Sequence, residues 1–411
     1  MSIDADVDAP ARTRTFASLE NEQYRRLFVS GTVAFLAVQA LVVARGWLAN
    51  EITGTNTGLG LMYLSFGVAM LVATPLAGVM ADRFSKRDLV GLTNAVIGVT
   101  SLWLALAVTF DFTAYWMLLI TSAVQGASFA VMAPSRMAMT ADLVGRNLLT
   151  NAVVLGQMSM NASRVVGPSL AGVAIGVAWL GLAGVFYASA ALSLFSAVLV
   201  MRLPQQTRVA VVERRSPLAD FVDGLRYVRS EPAVRHHIVV AVVVTMVVFP
   251  YVAFLPRVAD QLFGAGASGY GTLSAVGAVG AVAASLVVAR RSGHRELMRL
   301  QTVTGLGFAV GVAALGVAPA FWVGLVTLLL IGAASSAFQS MNGALVLGLT
   351  DTAYHGRVQS LMMLAFSAFG IAALPLGLLA DAIGLRQTLV GMGALATVVM
   401  VGSARHLFAR T

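Results

Sequence analysis

Residues 78–87 read GVMADRFSKR, a short charged stretch that lies between two apolar runs at 59–80 and 88–110. A helix needs about 20 mostly apolar residues to cross a bilayer, so this pattern predicts the turn of a membrane-spanning hairpin. Runs of the same kind recur outward along the whole chain. They fall at 26–49, 59–80, 88–110, 114–134, 152–176, 181–201, 236–256, 268–289, 299–317, 320–345, 358–380 and 386–404. The sequence therefore predicts an all-α integral membrane protein with twelve transmembrane helices.

The composition supports the membrane class. The chain has 411 residues, of which 58% are hydrophobic and 11% charged, and its mean hydropathy is +0.84. A soluble domain carries roughly 25% charged residues, so the composition excludes that class. The absence of cysteine excludes disulfides and thiol chemistry. We find no nucleophile motif, phosphate-binding glycine loop or convergent histidines, and we expect no catalytic residue, metal, cofactor or enzymatic activity.

The basic residues predict the orientation of the chain. The net charge of +9 comes from residues at the ends of apolar runs, which indicates a membrane surface rather than nucleic acid. With the N-terminus in the cytoplasm, most of the 27 lysines and arginines fall on the inner side, as the positive-inside rule requires. We expect a multi-pass protein of the cell inner membrane with both termini cytoplasmic. Four tryptophans then mark outer helix ends: Trp47, Trp116, Trp179 and Trp322.

The longest polar stretch divides the chain into two halves of six helices. The expected segments are a cytoplasmic tail (1–22), an N-terminal bundle (23–202), a cytoplasmic linker (203–235), a C-terminal bundle (236–404) and a second tail (405–411). Within the linker, apolar residues recur at helical spacing between charged ones, which predicts an amphipathic helix on the inner membrane surface. A partner-binding role for this helix stays open beside a plain lipid-resting one. Two such bundles with a site at their interface are typical of transporters.

The charged stretch resembles the signature of the major facilitator superfamily: a glycine, then Asp-Arg four residues on, then two basic residues. A glycine permits close helix approach, and a carboxylate favours the positive N-terminus of another helix. The resemblance implies two six-helix bundles in the major facilitator fold, with this loop as a conformational latch. A plain basic turn explains the arginines but not the placement of the glycine and the aspartate. The latch residues are Gly78, Asp82, Arg83, Lys86 and Arg87.

Residues 161–172 resemble the antiporter motif of the same superfamily. That motif is built on Gly-Pro followed by small residues, and here it comprises Gly167, Pro168 and Gly172. Proline bends a helix and glycine lets neighbours pack closely. The resemblance implies export, although Ser163 replaces one upstream glycine of the full motif. Small-residue packing without a functional role is the alternative.

A wider resemblance links almost the whole chain to the exporter branch that includes enterobactin exporters. It rests on Arg45-Gly46-Trp47-Leu48, Glu51-Ile52-Thr53-Gly54, Ala133-Pro134-Ser135-Arg136, Asn151-Ala152-Val153 and Gly356-Arg357-Val358. This likeness implies a proton-driven exporter of small amphipathic molecules of the drug or siderophore type. We also expect the protein to be a monomer. The family expects an arginine three residues before Gln125, in the position of Ser122, and that departure leaves the coupling route open.

Two charges fall inside predicted spans, Arg45 and Arg164. Since a charge at a helix centre costs roughly 2.5–3.5 kcal/mol on insertion scales, each is a candidate for substrate or coupling contact, with a structural role as the alternative. No acid lies mid-span, and Glu51 is the candidate proton carrier, with a solvated loop carboxylate as the alternative. Neutral polar residues line the expected cavity or join helices: Gln39, Gln125, Gln157, Asn161, Gln339 and Asn342.

These observations predict a secondary active exporter that works by alternating access. An importer or facilitator of a small nutrient or metabolite is the first alternative. A non-transporting membrane sensor is the second, and it would call for an added soluble domain that this sequence does not show. The sequence leaves the substrate unidentified.

Overall fold

The computed structural model describes residues 16–177, 179–205, 217–288, 294–351 and 354–408. All regular elements in these ranges are helical. A 3₁₀ turn at Ala17–Glu20 precedes α1 (Glu22–Thr53), α2 (Asn56–Arg83), α3 (Lys86–Thr109), α4 (Tyr115–Gly176), α5 (Gly181–Met201), α6 (Pro217–Ser230), α7 (Pro232–Val247), α8 (Tyr251–Arg257), a π-helical turn (Val258–Leu262), α9 (Gly266–Val288), α10 (His294–Val317), α11 (Phe321–Leu349), α12 (His355–Ile383) and α13 (Leu385–Phe408).

Ten helices among the described residues are long and apolar enough to cross a membrane, by length and composition. One of them, Pro232–Leu262, runs through α7, α8 and the π-helical turn. The predicted runs 152–176 and 358–380 are also helical, within α4 and α12, but they are not among the ten. The all-helical membrane class is therefore confirmed, and the exact count of twelve spans stays a prediction.

The long helix α4 is two helices joined end to end. Gly145 has a φ of 68°, which lies in the left-handed region that glycine tolerates, and it divides α4 into arms at 115–144 and 146–176. The sequence predicts a span at 114–134, and its predicted end is wrong, because the first arm extends to residue 144. The first arm continues through Arg136 because this side chain packs against α1 instead of entering solvent.

The N-terminal bundle is tied together by short hydroxyl and amide contacts as well as apolar packing. Ser30 on α1 and Ser196 on α5 place their Oγ atoms 2.8 Å apart, and Asn94 on α3 donates to Ser196 Oγ at 3.0 Å. All three residues are buried. Polar residues of this kind hold helices together where there is no water to compete for the hydrogen bonds.

The C-terminal bundle packs α9 and α10 against α11, and α10 against α13. Gln301 on α10 donates to Asn342 Oδ1 on α11 at 2.7 Å, and both side chains are buried. The first span of this bundle is interrupted between α7 and α8, and Pro250 is the N-cap residue of the short α8. Proline lacks the backbone donor that would continue α7 into α8.

The two bundles meet along two helix pairs, α2 with α12 and the second arm of α4 with α9. Glycines make both contacts close. A Cβ on Gly67 would lie 2.8 Å from the Ser367 carbonyl oxygen, and one on Gly172 would lie 2.6 Å from the Gly271 Cα. Side chains at these points would force the helices apart, so the glycines allow the close approach of the two bundles.

The helix α6 lies in the expected linker and is anchored to the C-terminal bundle. Asp223 pairs with Arg357 at 2.8 Å. The rings of Tyr227 and Tyr354 stack with centroids 4.1 Å apart, and Asp351 N donates to the Tyr227 hydroxyl at 3.0 Å. Through these contacts α6 packs against the C-terminal bundle, in addition to any contact that it makes with lipid.

Candidate functional site

The two bundles are joined at the end where α1 meets α2, which we call the outer end after the predicted charge distribution. Asp381 near the end of α12 accepts four hydrogen bonds from the start of α2. They come from Asn56 N at 2.9 Å, Asn56 Nδ2 at 2.9 Å, Thr57 N at 2.8 Å and Thr57 Oγ1 at 2.5 Å. Free N–H groups and the helix dipole make a helix N-terminus a favourable place for a carboxylate. Asp381 therefore caps α2 from the opposite bundle.

A second polar contact strengthens the same end. Asn50 Nδ2 on α1 donates to Asp260 Oδ2, in the π-helical turn of the other bundle, at 3.0 Å. Together the five hydrogen bonds close the outer end of the interface. The residues involved stood outside the sequence predictions, because each one looks like an ordinary polar residue at a helix end.

The predicted latch lies at the other end of α2. The side chains of Asp82 and Arg83 and the surroundings of Gly78 lie outside the described part of the structure. Lys86 Nζ pairs with Asp142 Oδ2 at 2.6 Å, and Arg87 donates to Asp88 Oδ1 at 2.8 Å and to the Leu203 carbonyl at 3.1 Å. These contacts join α3 to the first arm of α4 and to the end of α5, and the latch role itself stays a prediction.

Arg45 is a buried cation in α1, with only 5% of its surface exposed. It donates to Gln125 Oε1 on the first arm of α4, and its Nε has no hydrogen-bond partner. Tyr63 on α2 lies within electrostatic range of the guanidinium. Beside it is a cavity of about 10 Å³, room for about one water molecule, lined among others by Thr100 and Thr121. The structure thus brings together two of the predicted candidates, Arg45 and Gln125, at a small cavity with a mixed polar and apolar lining.

Arg164 lies on the face of α4 that meets the other bundle. Gln157, Asn161, Arg164, Pro168 and Gly172 follow one another at spacings of three or four residues, so they share one helix face. Near the C-terminal end of α4 this face touches α9, where Gly271 packs against Gly172 and the Pro168 carbonyl. Nearer the kink in α4, the Gln157 and Arg164 side chains are exposed, and Gln157 donates to Asn161 at 3.2 Å. The structure therefore places three predicted candidates in line on the helix face that reaches α9 at Pro168 and Gly172.

The remaining candidates are spread over other places. Gly167 packs so closely on α1 that a Cβ would lie 2.6 Å from Gln39 Cβ, which places Gln39 at a helix contact. Glu51 is exposed at the outer end of α1 and accepts a hydrogen bond from Trp47 Nε1 at 2.6 Å. Gln339 is exposed and bonds only weakly to Ser335 O of its own helix, at 3.4 Å. Asn342 is held by Gln301, as described above.

One candidate was missed from the sequence. Arg136 lies against α1, with its Nη2 3.5 Å from the Leu27 carbonyl and its guanidinium 5.4 Å from the centroid of the Phe35 ring. Its position just after an apolar run suggested a loop. The helix-favouring residues that follow it, Met137, Ala138 and Met139, were the signal that the helix continues.

A group of aromatic residues covers the interface below the outer end. The Tyr63 ring packs edge-on against Phe369 of α12 with centroids 5.3 Å apart. Tyr270 on α9 is fully buried, and a Cβ on Gly46 would lie 3.0 Å from its hydroxyl oxygen. Aromatic rings and hydroxyl groups from both bundles therefore pack together at this level of the interface.

Known transporters are similar to this chain over most of its length. A Staphyloferrin A transporter of Staphylococcus aureus is 24% identical over 372 residues, which is 89% of this chain and 91% of the relative. The enterobactin exporter EntS of Escherichia coli is 24% identical over 387 residues, covering 93% and 88%. The crystal structure of the nucleoside transporter NupG superposes with a TM-score of 0.72 at 14% identity, covering 93% of this chain and 98% of that one.

A bacterial homologue of the human lysosomal transporter Spinster superposes with a TM-score of 0.74 at 15% identity, covering 93% of this chain and 95% of that one. At such identities the solved structures show the fold alone. The family profile described as "Transmembrane secretion effector" matches residues 13–409, nearly the whole chain. The chain therefore belongs to the transmembrane secretion effector family of major facilitator transporters, and it is a membrane transporter rather than an enzyme.

Proposed function

We propose that this protein exports small amphipathic molecules of the siderophore or drug type by alternating access, driven by the proton gradient. The observation that carries the proposal is the full-length similarity to two siderophore transporters, which spans both bundles and their interface. The buried pair of Arg45 and Gln125 and the aromatic contacts between the bundles support an amphipathic substrate, because such a substrate needs both polar recognition and apolar contact area.

The outer closure supports alternating access. Five hydrogen bonds and several glycine contacts join the bundles there, and such an arrangement opens by separating two surfaces without unfolding either bundle. The same proposal includes twelve spans, cytoplasmic termini and a monomer as the working unit. It also keeps Gly78, Asp82, Arg83, Lys86 and Arg87 as the latch at the inner end.

Proton coupling is the least specified part of the proposal. The acids that we connect with proton coupling lie at the outer end. Glu51 is exposed there, and Asp260 and Asp381 bridge the bundles. A carboxylate that gains or loses a proton there would weaken or strengthen the closure. Glu51 remains the proposed proton carrier.

Transport into inverted membrane vesicles tests the proposal. With an imposed proton gradient, vesicles that contain the protein should accumulate a siderophore, whereas vesicles without the protein should not. An uncoupler should abolish the accumulation, and uptake that survives it would remove the proton from the mechanism. Equal uptake with and without the protein would overturn the proposed export of that compound class.

A further inference from the structure

We propose that Ser18, Asn21 and Tyr24 form a brace that positions the second arm of α4 for transport. Ser18 lies in the 3₁₀ turn, Asn21 is the N-cap residue of α1, and Tyr24 belongs to the first turn of α1. This end of α1 is opposite to the outer closure. The role in transport rests on the proposed alternating access, whereas the positioning itself depends on no substrate.

The brace contacts α4 on both sides of the kink at Gly145. Before the kink, Asn21 Nδ2 donates to the Leu143 carbonyl at 2.8 Å. A non-helical residue interrupts the hydrogen-bond ladder of a helix, so carbonyl groups just before it need other donors. Asn21 supplies such a donor while its Oδ1 caps α1, where it accepts from Gln23 N and Tyr24 N. One side chain thus fixes the start of α1 against the end of the first arm.

After the kink, the brace holds the first turns of the second arm. Asn151 Oδ1 accepts from Ser18 N at 3.1 Å and from Ser18 Oγ at 2.7 Å. The Tyr24 hydroxyl donates to the Ala152 carbonyl at 2.7 Å. Ser18, Tyr24 and Ala152 are buried, so water competes little for these bonds. Four hydrogen bonds from one short segment therefore span the kink and fix the direction of the second arm.

Polar contacts take the place of close packing at the start of this arm. Near its other end, Gly172 packs directly on α9, whereas a Cβ on Gly156 would meet no atom within 4 Å. The next polar contact with α1 comes two turns after Ala152, where Ser159 Oγ lies 2.5 Å from Thr32 Oγ1. The position of the first turns of the arm therefore depends on the brace.

These first turns lead into the face that carries candidate site residues. Gln157 and Asn161 follow Asn151 within three turns of helix. When the two bundles close and open in turn, this face must move together with the rest of its bundle. The brace supplies that connection, because it joins the arm to the first arm and to α1 at once.

Two spin labels can measure the position of the arm without any substrate, since the chain has no cysteine of its own. Leu92→Cys on α3 and Val154→Cys on the second arm provide exposed attachment points. Pulsed EPR on the purified full chain in liposomes should give one narrow distance. Tyr24→Phe and Asn21→Asp should each raise the fraction of displaced arms roughly fivefold, because each variant loses one hydrogen bond of the brace.

Both variants leave their surroundings in place. Asn21→Asp keeps an N-cap acceptor for α1 and loses only the donor to Leu143, and Tyr24→Phe keeps the buried ring. Tyr187→Phe is the matched control. It removes a hydroxyl that accepts from Thr109 Oγ1 at 3.2 Å, away from the brace, and it should change neither the distances nor transport.

Siderophore transport by the same proteins tests the use of the brace. The double variant Asn21→Asp/Tyr24→Phe should transport roughly threefold more slowly or worse, because two hydrogen bonds are lost. A lower unfolding temperature with unchanged distances and transport would make the brace a purely structural contact and overturn the inference. Displaced arms with wild-type transport would overturn its role in transport. Displaced arms in the variants, with no siderophore transport even by the wild type, would support the positioning and contradict the proposed function.

Discussion

At the residue scale, the buried pair of Gln301 and Asn342 separates a structural tie from a ligand contact. Asn342→Leu removes the acceptor of a 2.7 Å hydrogen bond and leaves the Gln301 amide buried without it. We expect the free energy of unfolding to fall by about 1–2 kcal/mol, while transport by the folded protein stays unchanged. Thermal unfolding in detergent, measured beside transport in liposomes, checks both parts.

Gln339→Leu is the matched control on the same helix. Its side chain is exposed and bonds only to its own helix, so the variant should unfold at the wild-type temperature. If Asn342→Leu lowered transport without loss of stability, Asn342 would be a ligand contact and the interpretation as a tie would be wrong.

The sequence predicts a residue's location best where the signal is local. Arg45 and Arg164 stand out because each interrupts an apolar run, and their positions within helices follow directly. Arg136 does not stand out, because its partners Leu27 and Phe35 are about a hundred positions away in the chain. Asp381 likewise resembles any acid at a helix end, and only the folded chain shows that it caps α2.

At the scale of elements, the contact between the second arm of α4 and α9 depends on the absence of side chains. Gly172→Leu places a side chain where even a Cβ would lie 2.6 Å from the Gly271 Cα. We expect the two bundles to be unable to close at this level, so transport should fall roughly tenfold or more while each bundle stays folded. Uptake into vesicles, normalised to the amount of monodisperse protein, measures the effect.

Gly156→Leu is the control on the same arm, since a Cβ there meets no atom within 4 Å. It should transport at the wild-type rate. Equal losses in both variants would mean that the arm tolerates no added side chain, and the close contact with α9 would then not explain the effect of Gly172→Leu.

Helices were predictable from the sequence, and their contacts were not. Apolar runs predict most helix positions within a few residues, because the membrane demands about 20 apolar residues for each span, but the first arm of α4 extends ten residues beyond its apolar run. The kink at Gly145 and the break near Pro250 depend on single residues that the hydropathy pattern averages away. Glycines at the same depth on facing helices allow the close pairing across the interface. These depths are known only from the folded structure.

At the scale of the whole molecule, the closure at the outer end has a counterpart in the sequence of the inner latch. Residues 78–87 read GVMADRFSKR at one end of α2, and residues 377–386 read GLLADAIGLR at the opposite end of its partner α12. Glycine, alanine, aspartate and arginine occupy the same four positions. Arg87 donates to the Leu203 carbonyl after α5, and Arg386 donates to the Gly316 and Ala318 carbonyls at the end of α10.

This correspondence supports the proposed alternation of access. Gly377 lets α12 approach α2, where a Cβ would lie 2.6 Å from the Asn56 carbonyl oxygen, and Asp381 then caps α2. The same residue types stand at positions 78 and 82, where the sequence predicts the inner latch. Two closures of one design at opposite ends can be formed in turn, which is the requirement of alternating access.

The outer closure can be tested with Asp381→Asn, because the chain has no cysteine and accepts a single reporter. Ser367→Cys is a nearly isosteric reporter, buried on α12 at the level of Gly67 and below the closure. Asparagine removes the negative charge and presents one amino group to the N–H donors of α2, so the closure should weaken by about 2 kcal/mol, or roughly 30-fold in its opening equilibrium. Labelling of the introduced cysteine by an impermeant maleimide added outside should accelerate accordingly.

The control is Asp111→Asn, at a left-handed turn position that asparagine tolerates. It removes one negative charge from the outer side without changing the closure, so the reporter should be labelled at the original rate. Since the two variants differ only in whether the carboxylate caps α2, equal labelling rates would show that Asp381 does not hold the outer end closed.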